Sequence, residues 1–276
     1  MSKQHKISVI TISYNQGQFI EETLLSVFNQ NYPNLEYILI DGGSTDNTLE
    51  VIKKYEDKIT YWVSEPDKGP ADALNKGFDK ATGEILYYLN SDDMICQGAF
   101  SYINDLYNKQ PNYDIYYGHG YIELSSIKKN YKSYSDKFSL PLFQRDQIMI
   151  SQPSTFFKGS FYKNNLQFNI ENRTCWDGEL IADAAIAKAR FYRFNKHISI
   201  FRLYPESISG GNNLTKYHKR LELISDKIRK AGTKEIKAGY LGLKLIKFFR
   251  DPVVMFKRLF SLNNKKINQW KSEQSN

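Results

Sequence analysis

Two adjacent carboxylates, Asp92 and Asp93, close the run Glu84-Ile85-Leu86-Tyr87-Tyr88-Leu89-Asn90-Ser91. The apolar part of that run is long enough for a buried strand, and nothing in it would neutralise the two charges. An unpaired carboxylate held away from water is strongly destabilising. The pair is therefore expected to face a cleft at the strand's C-terminal end, where open α/β sheets bind ligands. Hard oxygen ligands at such a place suit Mg2+ or Mn2+ shared with substrate phosphates. The competing reading is structural: Asp caps helices well, and either residue could start a helix after the strand.

The elements that must position these carboxylates repeat one pattern upstream. Ile7-Ser8-Val9-Ile10-Thr11-Ile12-Ser13 reads as a strand and Tyr14-Asn15-Gln16-Gly17 as a turn, after which Phe19, Ile20, Thr23, Leu24 and Val27 fall at helical spacing. Tyr37-Ile38-Leu39-Ile40 reads as a second strand, closed by Asp41-Gly42-Gly43-Ser44-Thr45-Asp46 and followed by a helix through Leu49, Ile52 and Tyr55. Ile59-Thr60-Tyr61-Trp62-Val63 is the third, ahead of Pro66-Asp67-Lys68-Gly69 and a helix near Ala71 to Ala81. Strands alternating with helices imply right-handed crossovers and an α/β fold, its mostly parallel central sheet covered by helices on both faces. The turns then gather along one sheet edge and build one site. Asp41 stands where Rossmann-type folds hold a sugar hydroxyl or base. The first turn is not G-x-G-x-x-G, so a dinucleotide is disfavoured and a single nucleotide beside a metal is favoured.

Five segments in this order resemble family 2 glycosyltransferases: Thr11-Ile12-Ser13-Tyr14-Asn15, Ile40-Asp41-Gly42-Gly43-Ser44-Thr45-Asp46, Ser64-Glu65-Pro66-Asp67-Lys68-Gly69, Asp72-Ala73-Leu74-Asn75-Lys76-Gly77 and Leu89-Asn90-Ser91-Asp92-Asp93. The likeness is close over residues 6–95 and fades towards residue 210. It implies a GT-A (Rossmann-like) fold, inversion at the anomeric centre, a nucleotide-sugar donor and a divalent cation, Mn2+ or Mg2+. Donor-binding residues are then expected at Ser13, Tyr14, Asn15, Asp41, Lys68, Asp72, Asn90, Ser91 and Arg202. Of these, Tyr14, Asn15 and Asp41 fall on the nucleoside, Lys68 and Asp72 nearer the donor sugar, and Arg202 on the diphosphate. Asp92 is the principal metal ligand and Asp93 the next candidate.

After Asp93 the alternation loosens. Phe100, Ile103 and Leu106 suggest a helix, Tyr113-Asp114-Ile115-Tyr116-Tyr117 a strand, and residues 118–134 an antiparallel hairpin. Gln152-Pro153-Ser154-Thr155-Phe156-Phe157 leads on towards Cys175-Trp176-Asp177, and Leu180, Ile181, Ala184, Ala185 and Lys188 fit a helix beginning near Asp177. An inverting transfer needs one base to take the acceptor hydroxyl's proton, and the resemblance maps that role onto Asp177. The alternatives are Asp177 as a helix cap and Glu179 as the base. Two positions depart from the family pattern. Asn90 stands where many relatives have the first Asp of Asp-x-Asp, and Tyr204 stands where relatives often carry His. His5, His119, His197 and His218 show no ligand spacing and are expected to be structural or superficial.

Composition sets limits. At 276 residues, 41% hydrophobic and 25% charged, the chain reads as a soluble globular protein with a sizeable core. Cys96 and Cys175 are far apart without metal-ligand spacing, which suggests a reducing cytoplasm. The first strand begins too early for a signal peptide, and no apolar run spans a membrane. The boundaries read as a catalytic domain over residues 1–212, divided into a nucleotide-sugar-binding half (1–95) and an acceptor half (96–212), and a basic helical C-terminal extension over 213–276. Residues 214–276 hold 16 Lys+Arg against 5 Asp+Glu, a net +11, leaving −3 for the remainder of a chain whose total is +8.

Within the extension, 214–230 and 234–250 read as helices, and Asp251-Pro252 as the start of a third through Phe256 and Phe260. Lys244, Lys247, Arg250, Lys257 and Arg258 interleave with Leu245, Phe248, Phe249, Met255 and Leu259. That mixture suits an anionic membrane surface contacted through 233–271. The competing readings are packing on the catalytic domain and self-association into a homo-oligomer; nucleic acid is disfavoured because no binding motif accompanies the charge.

The sequence thus points to an inverting glycosyltransferase moving a sugar from a UDP-sugar to a saccharide, with a lipid-linked acceptor in capsule, O-antigen or similar synthesis at the cytoplasmic face of the membrane. A nucleotide-sugar-binding module without catalysis is the alternative, motivated by Asn90 and Tyr204. A nucleotidyltransferase is a weaker third, since it needs a Gly-rich basic loop that Ser13-Tyr14-Asn15-Gln16-Gly17 does not provide.

Overall fold

A computed structural model describes residues 3–145, 149–207 and 214–260. The first half alternates as its periodicity predicts: β1 (Ile7–Ser13), α1 (Ile20–Phe28), β2 (Leu35–Asp41), α2 (Thr48–Lys54), β3 (Tyr61–Ser64), α3 (Pro70–Lys80) and β4 (Ile85–Tyr88). The second half is less regular, with β5 (Met94–Ile95), α4 (Ala99–Lys109), β6 (Ile115–Leu124), β7 (Lys129–Ser133), α5 (Leu140–Phe143), β8 (Thr155–Lys158), α6 (Gly159–Asn165), α7 (Trp176–Ile186) and β9 (Phe191–Leu203). Three helices come last: α8 (Leu214–Lys230), α9 (Tyr240–Arg250) and α10 (Pro252–Phe260).

The nine strands form one sheet in the order β3-β2-β1-β4-β8-β6-β9-β5, with β7 on β6. β1 lies parallel between β2 and β4. β8 enters antiparallel to both β4 and β6, so β6 and its parallel neighbour β9 run the same way as the first four strands. Six strands therefore share one direction, and the mostly parallel sheet expected from the sequence is present. The chain leaves β1 towards β2 on one side and later returns to β4 on the other. This reversal opens a crevice at the C-terminal ends of β1 and β4.

Alternation along β1 divides the core. Ile7 and Val9 pack with α1 and α4 on one face, whereas Ile10 and Ile12 pack with α3 and α7 on the other. Both faces are thus covered, as buried parallel sheets require. The strand expected at 113–117 continues into the first arm of the expected hairpin as one long β6, with β7 as the antiparallel second arm, and the register of β6 on β9 shifts at His119.

The C-terminal helices pack on this body. Ile224 and Ile228 of α8 bury themselves with Cys175 and Ala182, and Leu243 of α9 does so with Leu142. The helix expected over 234–250 starts only at Tyr240, because Ile236 leaves the helical path to join the Leu142–Leu243 cluster and Gly239 forms the N-cap of α9. Asp251 caps α10 as predicted, its Oδ1 accepting the Val254 N–H at 3.4 Å. The domain junction at 212/213 and the segment 261–271 of the expected membrane contact lie outside the described residues. Cys96 and Cys175 are both unbridged.

Candidate active site

The loop after β4 is fixed from two sides. The Leu89 N–H donates to Ile10 O at 2.9 Å, and the buried Thr23 hydroxyl of α1 reaches the carbonyls of Ser91 and Asp93 at 2.9 and 2.7 Å. Neither aspartate caps a helix, since β5 comes next and Gly98 precedes α4. The two carboxylates part. Asp92 faces a cleft of about 860 Å³ lined from both halves of the chain, and burial raises its carboxyl above the ordinary range. Asp93 is fully buried and turned away. Its Oδ1 accepts the Arg202 N–H at 2.9 Å, while Oδ2 has no hydrogen-bond partner among the described residues. Burial, and then the neighbouring Asp92 charge, push the Asp93 carboxyl well above the usual range. The expectation that both carboxylates face the cleft, with Asp93 as a further metal ligand, is thus corrected. Adjacent side chains leave the loop in opposite directions, and burial of the inward one disfavours its charged form.

Arg202 needs a similar correction. It is 3% exposed, its Nε donates to Glu123 at 2.9 Å, Nη2 pairs with Glu22, and the guanidinium lies 4.7 Å over the Phe19 ring. Alternation along β9 sends Phe201 to the cleft and Arg202 to the opposite face. The cations that line the cleft are Lys68 and Arg173, neither ion-paired among the described residues.

Several expected donor residues instead build the walls. Asp41 is fully buried, and its carboxylate accepts from Gly43 N, Ser44 N, Ser44 Oγ and Ser64 Oγ. It moulds the second turn, which presents the backbone of Gly42 to the cleft. A Cβ on Gly42 would come 2.7 Å from Asp67 Oδ2, so glycine lets that carboxylate approach. Asn15, in the left-handed region at φ 52°, ties the first turn to the second: its Oδ1 accepts from Thr45 N and its N–H donates to Ser44 Oγ. Asp72 reaches back from α3 to the Lys68 N–H at 3.0 Å, where Gly69 at φ 114° turns the chain into the helix. Ser13, Tyr14, Lys68, Asn90 and Ser91 do line the cleft. The Tyr14 ring is 61% exposed, open to stacking.

The oxygens at the end of β4 fit a hard cation. Asp92 presents a carboxylate, and the Asn90 carbonyl oxygen beside it is buried without a hydrogen-bond donor among the described residues. Gln152 fixes the Asn90 amide, accepting from its Nδ2 at 3.4 Å and donating to Tyr88 O at 3.2 Å. The described residues hold no cluster of three His, Cys, Asp or Glu side chains suited to a metal. A cation here would complete its shell with phosphate oxygens and water, as Mg2+ sites commonly do.

Asp177, one residue into α7, lies in the wall shared by this cleft and a second cavity of about 430 Å³. No side-chain cap bond forms at the start of α7, and burial raises the Asp177 carboxyl above the ordinary range. Glu179 takes no part in either cavity. Asn169, Asn172 and Lys227 occupy its oxygens, joining α7 to α8. Asp67, Gln152, Arg173 and Trp176 line the cleft without having been singled out from the sequence. Asp67 lies inside a recognised motif, and Arg173 and Trp176 flank the position read as the base, which was the available signal.

A family model, "Glycosyl transferase family 2", matches residues 8–172. The chain belongs to that family and is a glycosyltransferase. It is 25% identical over 280 residues to a GalNAc(5)-diNAcBac-PP-undecaprenol beta-1,3-glucosyltransferase of Campylobacter jejuni, covering 95% of this chain and 90% of that one. It is 40% identical over 90 residues to the putative teichuronic acid biosynthesis glycosyltransferase TuaG of Bacillus subtilis, covering 32% and 36% of the two chains. For a glycosyltransferase of Haemophilus influenzae and others like it, the chain matches under half of the relative's length. Among solved structures, S. aureus TarS superposes with a TM-score of 0.63 at 21% identity, over 81% of this chain and 42% of that one. The Pyrobaculum calidifontis mannosyltransferase PcManGT, in complex with GDP-Man and Mn2+, superposes at 0.60 and 14% identity over 99% and 85%. Both likenesses establish the GT-A fold.

Proposed function

We propose that the protein transfers a sugar from a UDP-sugar, with inversion, to a lipid-linked saccharide in bacterial surface-glycan synthesis. The observation that carries this reading is the place of Asp177, a half-buried carboxylate in the wall common to two cavities. The donor occupies the larger one, its base against Tyr14 and its diphosphate beside Lys68 and Arg173. The acceptor enters the smaller one, whose wall mixes apolar Phe143, Ile150 and Leu180 with polar Gln152 and Thr155. Asp177 takes the acceptor hydroxyl's proton as the new C–O bond forms and the bond from the anomeric carbon to the diphosphate oxygen breaks. A divalent cation held by Asp92 and the Asn90 carbonyl would supply positive charge for the leaving diphosphate. Lys68 and Arg173, which line the same cleft, add to it. The undecaprenyl-linked acceptor of the Campylobacter relative and the UDP-GlcNAc complex of TarS support these choices of acceptor and donor class.

The test is a panel of UDP- and GDP-sugars with Mn2+, read as nucleotide release with and without lipid-linked acceptors. Release from a UDP-sugar that Asp177→Asn abolishes, with donor binding kept, supports the enzyme. Binding without release for every donor and acceptor favours the non-catalytic module instead.

A further inference from the structure

Helices α9 and α10 meet the body of the protein on one side only. Leu243 and Val254 are buried, Lys247 and Arg258 both pair with Asp136, and Arg193 pairs with Asp251. The other side of α9 carries Leu241, Leu245 and Phe249, spaced four residues apart and therefore in one stripe. They are 71, 50 and 78% exposed, and Val253 at the start of α10 is 59% exposed. Monomeric soluble proteins seldom leave so many large apolar side chains together in water.

Charge identifies the occupant. Between Lys234 and Arg258 the sequence has seven basic residues and two acidic ones. Both acids are already paired, Glu235 with Arg145 and Asp251 with Arg193. Lys234, Lys237 and Lys244 are exposed. An apolar stripe bordered by one sign of charge would repel a second copy of itself, whereas it complements anionic headgroups above acyl chains. No helix among the described residues is long and apolar enough to cross a membrane.

We propose that this face seats the protein on an anionic lipid bilayer, with Leu245 and Phe249 entering the headgroup boundary and Lys237 and Lys244 among the phosphates. The inner side of the same helix brings Lys247 to the cavity that ends at Asp177, so a bilayer-held substrate would arrive beside the base. That last point rests on the proposed function; the docking does not.

The experiment is flotation of the full-length protein with phosphatidylglycerol–phosphatidylcholine vesicles and with phosphatidylcholine vesicles, at low and high salt. The wild type should bind the anionic vesicles at least about tenfold more tightly than the neutral ones, and less at high salt. Leu245→Gln/Phe249→Gln and Lys237→Glu/Lys244→Glu should each lose about tenfold or more while melting with the wild type. Equal binding to both vesicle types overturns the proposal. So does unchanged binding by either double variant, or a dimer that Leu245→Gln/Phe249→Gln dissociates in a protein that ignores vesicles.

Discussion

The Tyr204 hydroxyl donates to Asp92 Oδ2 at 3.0 Å, so the carboxylate best placed for a metal is held by a phenol. Burial, and then the Asp92 charge, raise the Tyr204 phenol above its ordinary range, which keeps it a donor. Its proton and a cation compete for the same oxygen. Tyr204→Phe is therefore expected to tighten apparent Mn2+ affinity several-fold, read from nucleotide release against Mn2+ concentration. Chelation by EDTA should abolish turnover in the wild type. Asp92→Asn should lower it by about 100-fold or more, the scale of removing a principal electrostatic group. A Tyr204→Phe enzyme with unchanged metal dependence would show that the phenol and the cation do not share Oδ2.

Asp177 links catalysis to stability. A base must be deprotonated, so the acidic limb of kcat/KM should lie above the ordinary carboxylate range, in the direction of the burial-raised shift. The stability effect has the opposite sense. Because the folded form holds its proton to higher pH than the unfolded form, stability falls as pH rises from the unfolded value of about 4 through the raised folded one. Above that raised value the half-buried charge is a standing cost. Asp177→Asn should then lose roughly 100- to 10,000-fold in turnover yet melt higher, by about 2–4 °C for each kcal/mol recovered. Lost activity together with a lower melting temperature would instead mark Asp177 as a structural residue.

Arg173 and Arg202 should separate cleanly. Arg173 is exposed in the cleft beside Gly69, and Arg173→Ala should raise the donor KM about tenfold, the loss of one charge-assisted contact, without changing the melting temperature. Arg202→Met strands the largely buried Glu123, and breaking such a pair costs about 3–5 kcal/mol. Thermal unfolding and donor titration of the two variants would settle the assignment; a stable Arg202→Met protein with poor donor binding would return Arg202 to the diphosphate.

The first half of the fold was legible because each β–α unit carries its own local periodicity. The loop roles were only partly so. Asp41 and Asn15 bear the right chemistry in the right order, but whether a carboxylate faces a ligand or moulds its own turn depends on Ser44, Thr45 and Ser64. Those partners are set by tertiary contact. The face that Arg202 occupies is not legible, because the strand pattern of β9 is hidden in the sequence. Asn195, Lys196 and Ser199 interrupt its apolar pattern, and without a strand there is no alternation to assign Arg202 to a face. The C-terminal charge asymmetry was visible, but its division was not, because only packing distinguishes Lys247 and Arg258, turned to Asp136, from the exposed Lys244.

That division rests on Asp136. Its side chain is buried, ion-pairs with Lys247 at 3.2 Å, and accepts from Arg258 at 2.7 Å and from the Met149 N–H at 2.9 Å, tying α9 and α10 to the segment before α5. Asp136→Ala leaves two cations and a backbone donor without their acceptor. It should destabilise the protein by about 3–5 kcal/mol. Truncation before Leu214 should be more severe, since it exposes Cys175, Ala182 and Leu142 to water at once. Such a product is expected to be insoluble or to unfold without a cooperative transition. Denaturant unfolding of the full-length variant and of the truncated chain measures both. A truncated protein that melts cooperatively and still binds donor would show that α8–α10 are an appendage and not part of the catalytic fold.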